Sequence, residues 1–254
     1  MCGIVGYLGE RDSLPIILNG LKRLEYRGYD SAGVAIYNGS TIASCKSKGK
    51  ISKLEKLLDK RKNMSGGIGI GHTRWATHGE PNDINAHPQF SNSKKLCLVH
   101  NGIIENYSTI KLKLIKEGFS FSSETDTEVL VNLIEFVKNK NDVKLGEAVQ
   151  IALNKVIGAY AIAVIDDDKP DEIVVAKLGS PLCIGICDDE HFIGSDVTPF
   201  IEFTKDVVYL EDGELAIIRN HKETFFRKID DDSSISPTVS KLKMSLDKIE
   251  KQGY

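Results

Sequence analysis

The chain has 254 residues, with 33 basic against 36 acidic side chains and a formal net charge of −3. That balance excludes a global basic footprint for duplex nucleic acid. A composition of 41% hydrophobic and 27% charged residues excludes disorder along the whole length. No apolar stretch reaches the roughly 20 residues of a membrane-spanning helix. The start, Met1-Cys2-Gly3-Ile4-Val5, lacks the basic region and cleavage site of a secretory signal. A cytoplasmic protein without a membrane or nucleic-acid partner is therefore expected.

Gly3 to Leu8 reads as a short buried strand. A helix follows, with Ser13 as its cap, Pro15 in the first turn, and Ile16, Ile17, Leu21 and Leu24 on one face. It breaks in the turn-rich segment Tyr26 to Gly33. Val34 to Tyr37 is a strand closed by Asn38-Gly39, Leu54, Leu57 and Leu58 mark a short helix, and Ile68 to His72 is the next strand. Thr73 to Gln89 shows no periodicity, as expected of a functional loop. Leu96 to Val99 is a strand, and a helix runs from about Asn106 to Lys116 with Gly118 as its stop. Thr125 and Glu128 are spaced as a capping box for a helix whose apolar face is Val129, Leu130, Leu133, Ile134 and Val137. A further helix covers Leu145 to Ile157.

The remainder is strand-rich: Ala159 to Ile165, Glu172 to Ala176, Leu182 to Ile186, Val207 to Leu210 and Leu215 to Ile218, with Glu211-Asp212-Gly213 as a hairpin turn. Ala159 to Ile165 is apolar on both faces, so it belongs to a covered sheet. The pattern predicts sheets packed together with helices outside, an α+β layered fold. After about Lys228 the acidic, polar run Asp230 to Ser234 and Pro237 read as a linker. Leu242, Leu246 and Ile249 then lie on one face of a helix that ends abruptly at Tyr254. The chain is thus expected to be the front of a longer polypeptide, with 1–229 as its domain and 230–254 as an interdomain linker.

The five cysteines fit no disulfide framework. Cys97, Cys183 and Cys187 sit in apolar runs and read as buried strand residues. Cys2 differs. Removal of Met1, which a small second residue permits, gives Cys2 a free α-amino group whose ordinary pKa is about 7.7–8.0. That amine can take the proton of its own thiol, so nucleophile and base reside on one residue. Asn101 and Gly102, after His100, offer a side-chain amide and a close-approaching backbone N–H to a developing oxyanion, although taken alone the pair reads first as the very common Asn-Gly hairpin turn. Arg74 is suited to holding a carboxylate bidentate, or to a structural ion pair. Metal ligation by His72, His78 and His87 ranks low, because neither a His-x-x-x-His pair on a helix nor a nearby carboxylate accompanies them. Asp126 favours a helix N-terminus and could bind an ammonium group. A nucleophile, oxyanion donors, a carboxylate fork and an ammonium acceptor together describe cleavage of the side-chain amide of glutamine.

The opening Met1 to Tyr7, the segment Arg23 to Gly33, and the Arg74 and Asn101-Gly102 segments follow one another in the order found in one family. From Cys2 to about Ile229 the chain resembles the N-terminal glutaminase domain of the glucosamine-6-phosphate synthases, the isomerizing glutamine–fructose-6-phosphate aminotransferases. The resemblance implies an N-terminal-nucleophile hydrolase fold, a four-layer αββα sandwich. It implies Cys2 as nucleophile with its α-amine as base, Asn101 and Gly102 as oxyanion hole, Arg74 on the glutamine carboxylate and Asp126 on its amino group. Thr77, His78 and His87 would line the pocket, Trp75 would sit near its lid, and Arg27 would support the nucleophile. It implies no metal and no cofactor. L-Glutamine would be hydrolysed to glutamate and ammonia, and the ammonia would pass to fructose 6-phosphate in a sugar isomerase half absent here, within a homo-oligomeric full-length enzyme. The related domain of phosphoribosylpyrophosphate amidotransferases is an alternative, and a silent glutamine-binding module is another if Met1 is retained.

Overall fold

Six buried residues, Gly3–Leu8, form strand β1. Strand geometry sends alternate side chains to opposite faces, and β1 uses both. Ile4 and Leu8 point into one apolar cluster, while Val5 and Tyr7 point into another. A strand buried on both sides needs a partner layer on each side, and the rest of the fold supplies them.

The computed structural model describes residues 2–76, 79–220 and 223–242. After β1 come helix α1 (Ser13–Arg23), a 3₁₀ turn (Glu25–Arg27), strands β2 (Ser31–Tyr37) and β3 (Ile42–Lys48), helix α2 (Ile51–Leu58) and strand β4 (Ile68–Arg74). Then come β5 (Gln89–Phe90), β6 (Leu96–Ile104) and three helices, α3 (Tyr107–Lys116), α4 (Asp126–Asn141) and α5 (Leu145–Leu153). The chain continues through β7 (Gly158–Asp166), β8 (Lys169–Leu178), β9 (Cys183–Ile186), β10 (His191–Gly194), β11 (Asp206–Tyr209), β12 (Glu214–Arg219) and β13 (Phe225–Lys228). Two short edge strands, β14 (Ser234–Ile235) and β15 (Val239–Lys241), follow.

The strands make two antiparallel sheets. One has eight strands in the order β15-β11-β9-β10-β1-β4-β2-β3, and the other seven in the order β14-β13-β12-β8-β7-β6-β5. Ile4, Ile70, Val99, Ala163 and Val175 belong to one apolar cluster, drawn from both sheets. Helices α1 and α2 cover the outer face of the eight-stranded sheet through Ile17, Leu21 and Leu54. Helices α3 to α5 cover the outer face of the seven-stranded sheet through Ile110, Leu130, Ile134 and Val149. Helix, sheet, sheet and helix are thus stacked in four layers, the layered α+β architecture expected from the pattern.

The departures from expectation have local causes. Asp12, not Ser13, caps α1, its carboxylate accepting from Leu14 N–H at 3.4 Å. Strand β2 begins at Ser31 rather than Val34, because Ser31 to Gly33 pair with Lys48 to Lys46 and with Arg74 to His72. Strand β6 runs on through Asn101-Gly102 to Ile104, so those two residues are not a hairpin turn. Glu211 to Gly213 is not a hairpin either, since it hands the chain from β11 in one sheet to β12 in the other. Cys187 falls just beyond β9 and is only partly buried, whereas Cys97 and Cys183 are buried strand residues. Strands β3, β10 and β13 carry too little unbroken apolar sequence to announce themselves. In the segment expected to be a linker, β14 pairs with β13 and β15 with β11, one on the edge of each sheet. The expected helix over Leu246 and Ile249 lies outside the described residues.

Candidate active site

The period of two in each strand brings the expected residues together. On β4, Ile68 and Ile70 face the other sheet, so His72 and Arg74 continue that face to the strand end. On β6, Cys97 and Val99 face the eight-stranded sheet, so Asn101 does too. Cys2 shares the parity of Ile4 and Leu8. One slot between the sheets therefore receives a thiol, an imidazole and a guanidinium from one side and a carboxamide from the other. Cys2, Arg74, Trp75, His87, His100 and Gly102 line the resulting pocket together with Thr125, Asp126 and Thr127.

The Cys2 thiol is held by the first peptide of the loop after β4. Trp75 N–H donates to Sγ at 3.2 Å, and the thiol donates to the Trp75 carbonyl at 3.5 Å. Burial pushes the thiol pKa above its ordinary value, and the Trp75 peptide and Arg74 only partly offset this. At neutral pH Cys2 is a thiol that needs a base before it can attack. The Cys2 carbonyl accepts from Arg27 Nε and from Asn101 Nδ2, each at 3.2 Å. Arg27 also donates to the Ser195 carbonyl at 3.5 Å and pairs with Asp196 at 3.9 Å.

The Asn101 side chain makes three polar contacts. Besides the Cys2 carbonyl, Nδ2 donates to Ser195 Oγ at 2.8 Å, while Oδ1 lies 2.9 Å from His72 Nε2. His72 Nε2 is also 3.0 Å from the His100 carbonyl. Ser195, the residue after β10, is tied to β1 by accepting from Ile4 N–H at 2.8 Å and donating its own N–H to Ile4 O at 3.1 Å. Gly102 has φ of 135°, and a Cβ there would collide with the Ala159 carbonyl of β7. Glycine is required so that the β6 backbone itself can form the pocket wall.

Arg74 is 3% exposed, and Nη2 donates to the Gly79 carbonyl at 3.3 Å. Burial pulls its pKa below the ordinary value, against Asp30, Cys2 and Asp126 nearby. A guanidinium nonetheless stays charged. Asp126 opens α4, where the helix end favours an acid. Its Oδ2 accepts from Ile104 N–H at 2.8 Å and lies 3.9 Å from His100 Nδ1. Thr125 caps that helix by accepting from Glu128 N–H at 3.2 Å, but the Glu128 carboxylate reaches back to Ser122 and Ser123 instead of Thr125. His87 stacks on His72 with ring centroids 4.3 Å apart, and burial drives both imidazoles to the neutral form, His72 to a pKa of about 3. Trp75 is 49% exposed and meets Tyr29 edge to face, centroids 5.5 Å apart. Thr77 and His78, the other expected lining residues, lie outside the described residues.

Sequence reasoning missed Ser195 and Asp30. Asp30 accepts from Ala76 N–H and from Ser31 Oγ, tethering the loop that carries Trp75. It stands in the Arg23 to Gly33 segment and could have been drawn from it. Ser195 gives no signal, because a lone serine near Asp196 is ordinary in any sequence.

A two-sheet sandwich with a cysteine beside its central strand and an Asn-Gly pair opposite defines a class, and comparison with known proteins agrees. Residues 59–243 match the glutamine amidotransferase domain, and the chain belongs to that family. Cys2 lies outside that match but inside the whole-length similarities to the aminotransferases. The chain is similar along its whole length to glutamine–fructose-6-phosphate aminotransferase (isomerizing) of Bacteroides thetaiotaomicron, at 56% identity, and of Chlorobaculum tepidum, at 51%. The Thermococcus kodakarensis protein of that name is 48% identical. The chain spans 41% to 42% of the length of these relatives. Among solved structures, the glutamine phosphoribosylpyrophosphate amidotransferase of B. subtilis, complexed with ADP and GMP, superposes with a TM-score of 0.76 at 29% identity, over 91% of this chain and 50% of that one. The fold is the N-terminal-nucleophile hydrolase sandwich.

Proposed function

We propose that this chain hydrolyses L-glutamine to glutamate and ammonia through a thioester on Cys2, as the glutaminase half of a glucosamine-6-phosphate synthase. The observation that carries the reading is the convergence of Cys2 and Asn101, from facing sheets, with 3.2 Å between the Asn101 amide nitrogen and the Cys2 carbonyl. Once Met1 is removed, the Cys2 amine takes the thiol proton. The sulfur attacks the side-chain amide carbon of glutamine, and the carbonyl electrons move to oxygen. Asn101 Nδ2–H and Gly102 N–H hold that oxyanion. The amine passes its proton to the leaving nitrogen, the C–N bond breaks, and ammonia departs. Water, deprotonated by the same amine, then cleaves the thioester to glutamate and restores the thiol.

Arg74 holds the α-carboxylate as a fork, and Asp126 holds the α-ammonium. Thr77, His78 and His87 would line the substrate pocket and Trp75 would stand near its lid, while Arg27 fixes the Cys2 peptide. No metal or cofactor is needed for these steps. Residues 1–229 form the glutaminase and 230–254 lead to a C-terminal sugar isomerase half. There, in a cytoplasmic homo-oligomer, ammonia converts fructose 6-phosphate to glucosamine 6-phosphate. The identities of 48% to 56% to proteins of that name support this acceptor over phosphoribosyl pyrophosphate, whose amidotransferase is 29% identical.

The test is intact mass before and after 6-diazo-5-oxo-norleucine, together with glutamate release. Loss of Met1, one adduct on Cys2 and glutamine turnover are expected. A Met-free chain that takes no adduct and releases no glutamate would overturn the reading in favour of a silent glutamine-binding module.

A further inference from the structure

His72 is fully buried, and the steps above do not use it. The His100 carbonyl, 3.0 Å from Nε2, can only accept, so Nε2 carries a hydrogen. The atom of Asn101 that lies 2.9 Å from the same Nε2 must then be an acceptor, which makes it Oδ1. Nδ2 is thereby turned toward Cys2 and Ser195. His72 Nδ1 has no hydrogen-bond partner among the described residues, and burial keeps the ring neutral with a pKa of about 3. One tautomer serves throughout the working pH range.

The other contacts of Asn101 cannot hold its amide during turnover. The Nδ2 hydrogen now on the Cys2 carbonyl is the one that must move to the oxyanion. Ser195 Oγ can donate as well as accept, so it tolerates either end of the carboxamide. A flipped Asn101 would aim its oxygen at the oxyanion and its NH₂ at the His72 N–H.

We infer that His72 is a positioning residue whose Nε2–H, anchored by the His100 carbonyl, locks the Asn101 carboxamide with its NH₂ toward the oxyanion. The inference rests on the glutaminase reading, and its failure can be told apart from the failure of that reading. Kinetics would be measured on the Met-free 254-residue chain and on His72→Leu, His72→Gln, Asn101→Ala and the His72→Leu/Asn101→Ala double variant. If the unsubstituted chain releases no glutamate, the glutaminase reading itself falls. If it does, His72→Leu should lower kcat by about 10- to 100-fold with KM little changed, approaching the loss of an oxyanion donor. His72→Gln, which keeps an N–H at similar reach, should recover most of that rate. The double variant should be no slower than Asn101→Ala alone, because His72 acts only through that amide. Losses that multiply in the double variant, or a His72→Gln as slow as His72→Leu, would overturn the inference. Should His72→Leu fail to fold, nitrogen-15 NMR of the unsubstituted chain decides. Nε2 must stay protonated and Nδ1 bare from about pH 5 to about pH 9; a proton on Nδ1 overturns it.

Discussion

Arg74, Asn101 and Asp126 are 3% to 5% exposed, whereas Trp75, one peptide beyond Arg74, is 49% exposed. The first three stand on β4, on β6 and on the first turn of α4, each fixed by packing and by backbone hydrogen bonds. Trp75 opens a loop whose contacts among the described residues include the Cys2 thiol, Asp30 and the Tyr29 ring. One wall of the pocket is set by the strands and α4, and the other by the loop that follows β4. Groups that must meet charge within a fraction of an ångström belong on the first wall. Groups that admit substrate and exclude water belong on the second.

Substitutions should separate the two walls. Cys2→Ala removes the proposed nucleophile and leaves the strand pairing of β1 intact, so glutamate release should fall by at least about 10⁴-fold with little change in melting temperature. Residual turnover near the original rate would remove Cys2 from the mechanism. Gly102→Ala forces a side chain into a φ of 135° and against the Ala159 carbonyl. Strain of about 1–3 kcal/mol should lower the melting temperature, and a displaced N–H should cut kcat by about 100-fold. Arg74→Lys replaces a fork by a point charge, so KM for glutamine should rise by about 10-fold or more with a smaller fall in kcat; an unchanged KM would make Arg74 purely structural. Trp75→Ala should have the smallest effect. Loss of the Tyr29 contact, about 0.5–1.5 kcal/mol, should raise KM by about three- to tenfold and leave kcat and melting temperature nearly alone. A larger stability loss there than in Gly102→Ala would erase the distinction between the walls.

The same division governs how much could be read beforehand. Runs such as Gly3 to Leu8 and Ala159 to Ile165 show their strands because both faces are covered and hydrophobic. Cys2, Arg74, Asn101, Gly102 and Asp126 stand in segments recognisable by their order in the sequence, though their spatial convergence is not legible there. An Asn-Gly pair spells a turn locally. Only pairing of Gly102 with Tyr160 across β6 and β7 makes it a strand. Short edge strands such as β14 and β15 were hidden because they contribute backbone pairing and little apolar surface. Ser195 and His72 act through atoms brought in from distant segments, and no local pattern encodes such a contact.

Strand β1 lies between β4 and β10, with Val5 opposite Gly71 on one side and Gly194 on the other. Closing those pairings spans most of the chain, and non-local contacts of this kind form slowly compared with the β2–β3 hairpin, whose turn is a few residues long. Cys2, the proposed nucleophile, is thus expected to reach its place late in folding. During refolding from denaturant, helical and hairpin signals should recover ahead of catalysis. A partly folded chain would then carry a thiol without its partners, and turnover would report completion of the whole sandwich rather than of any layer.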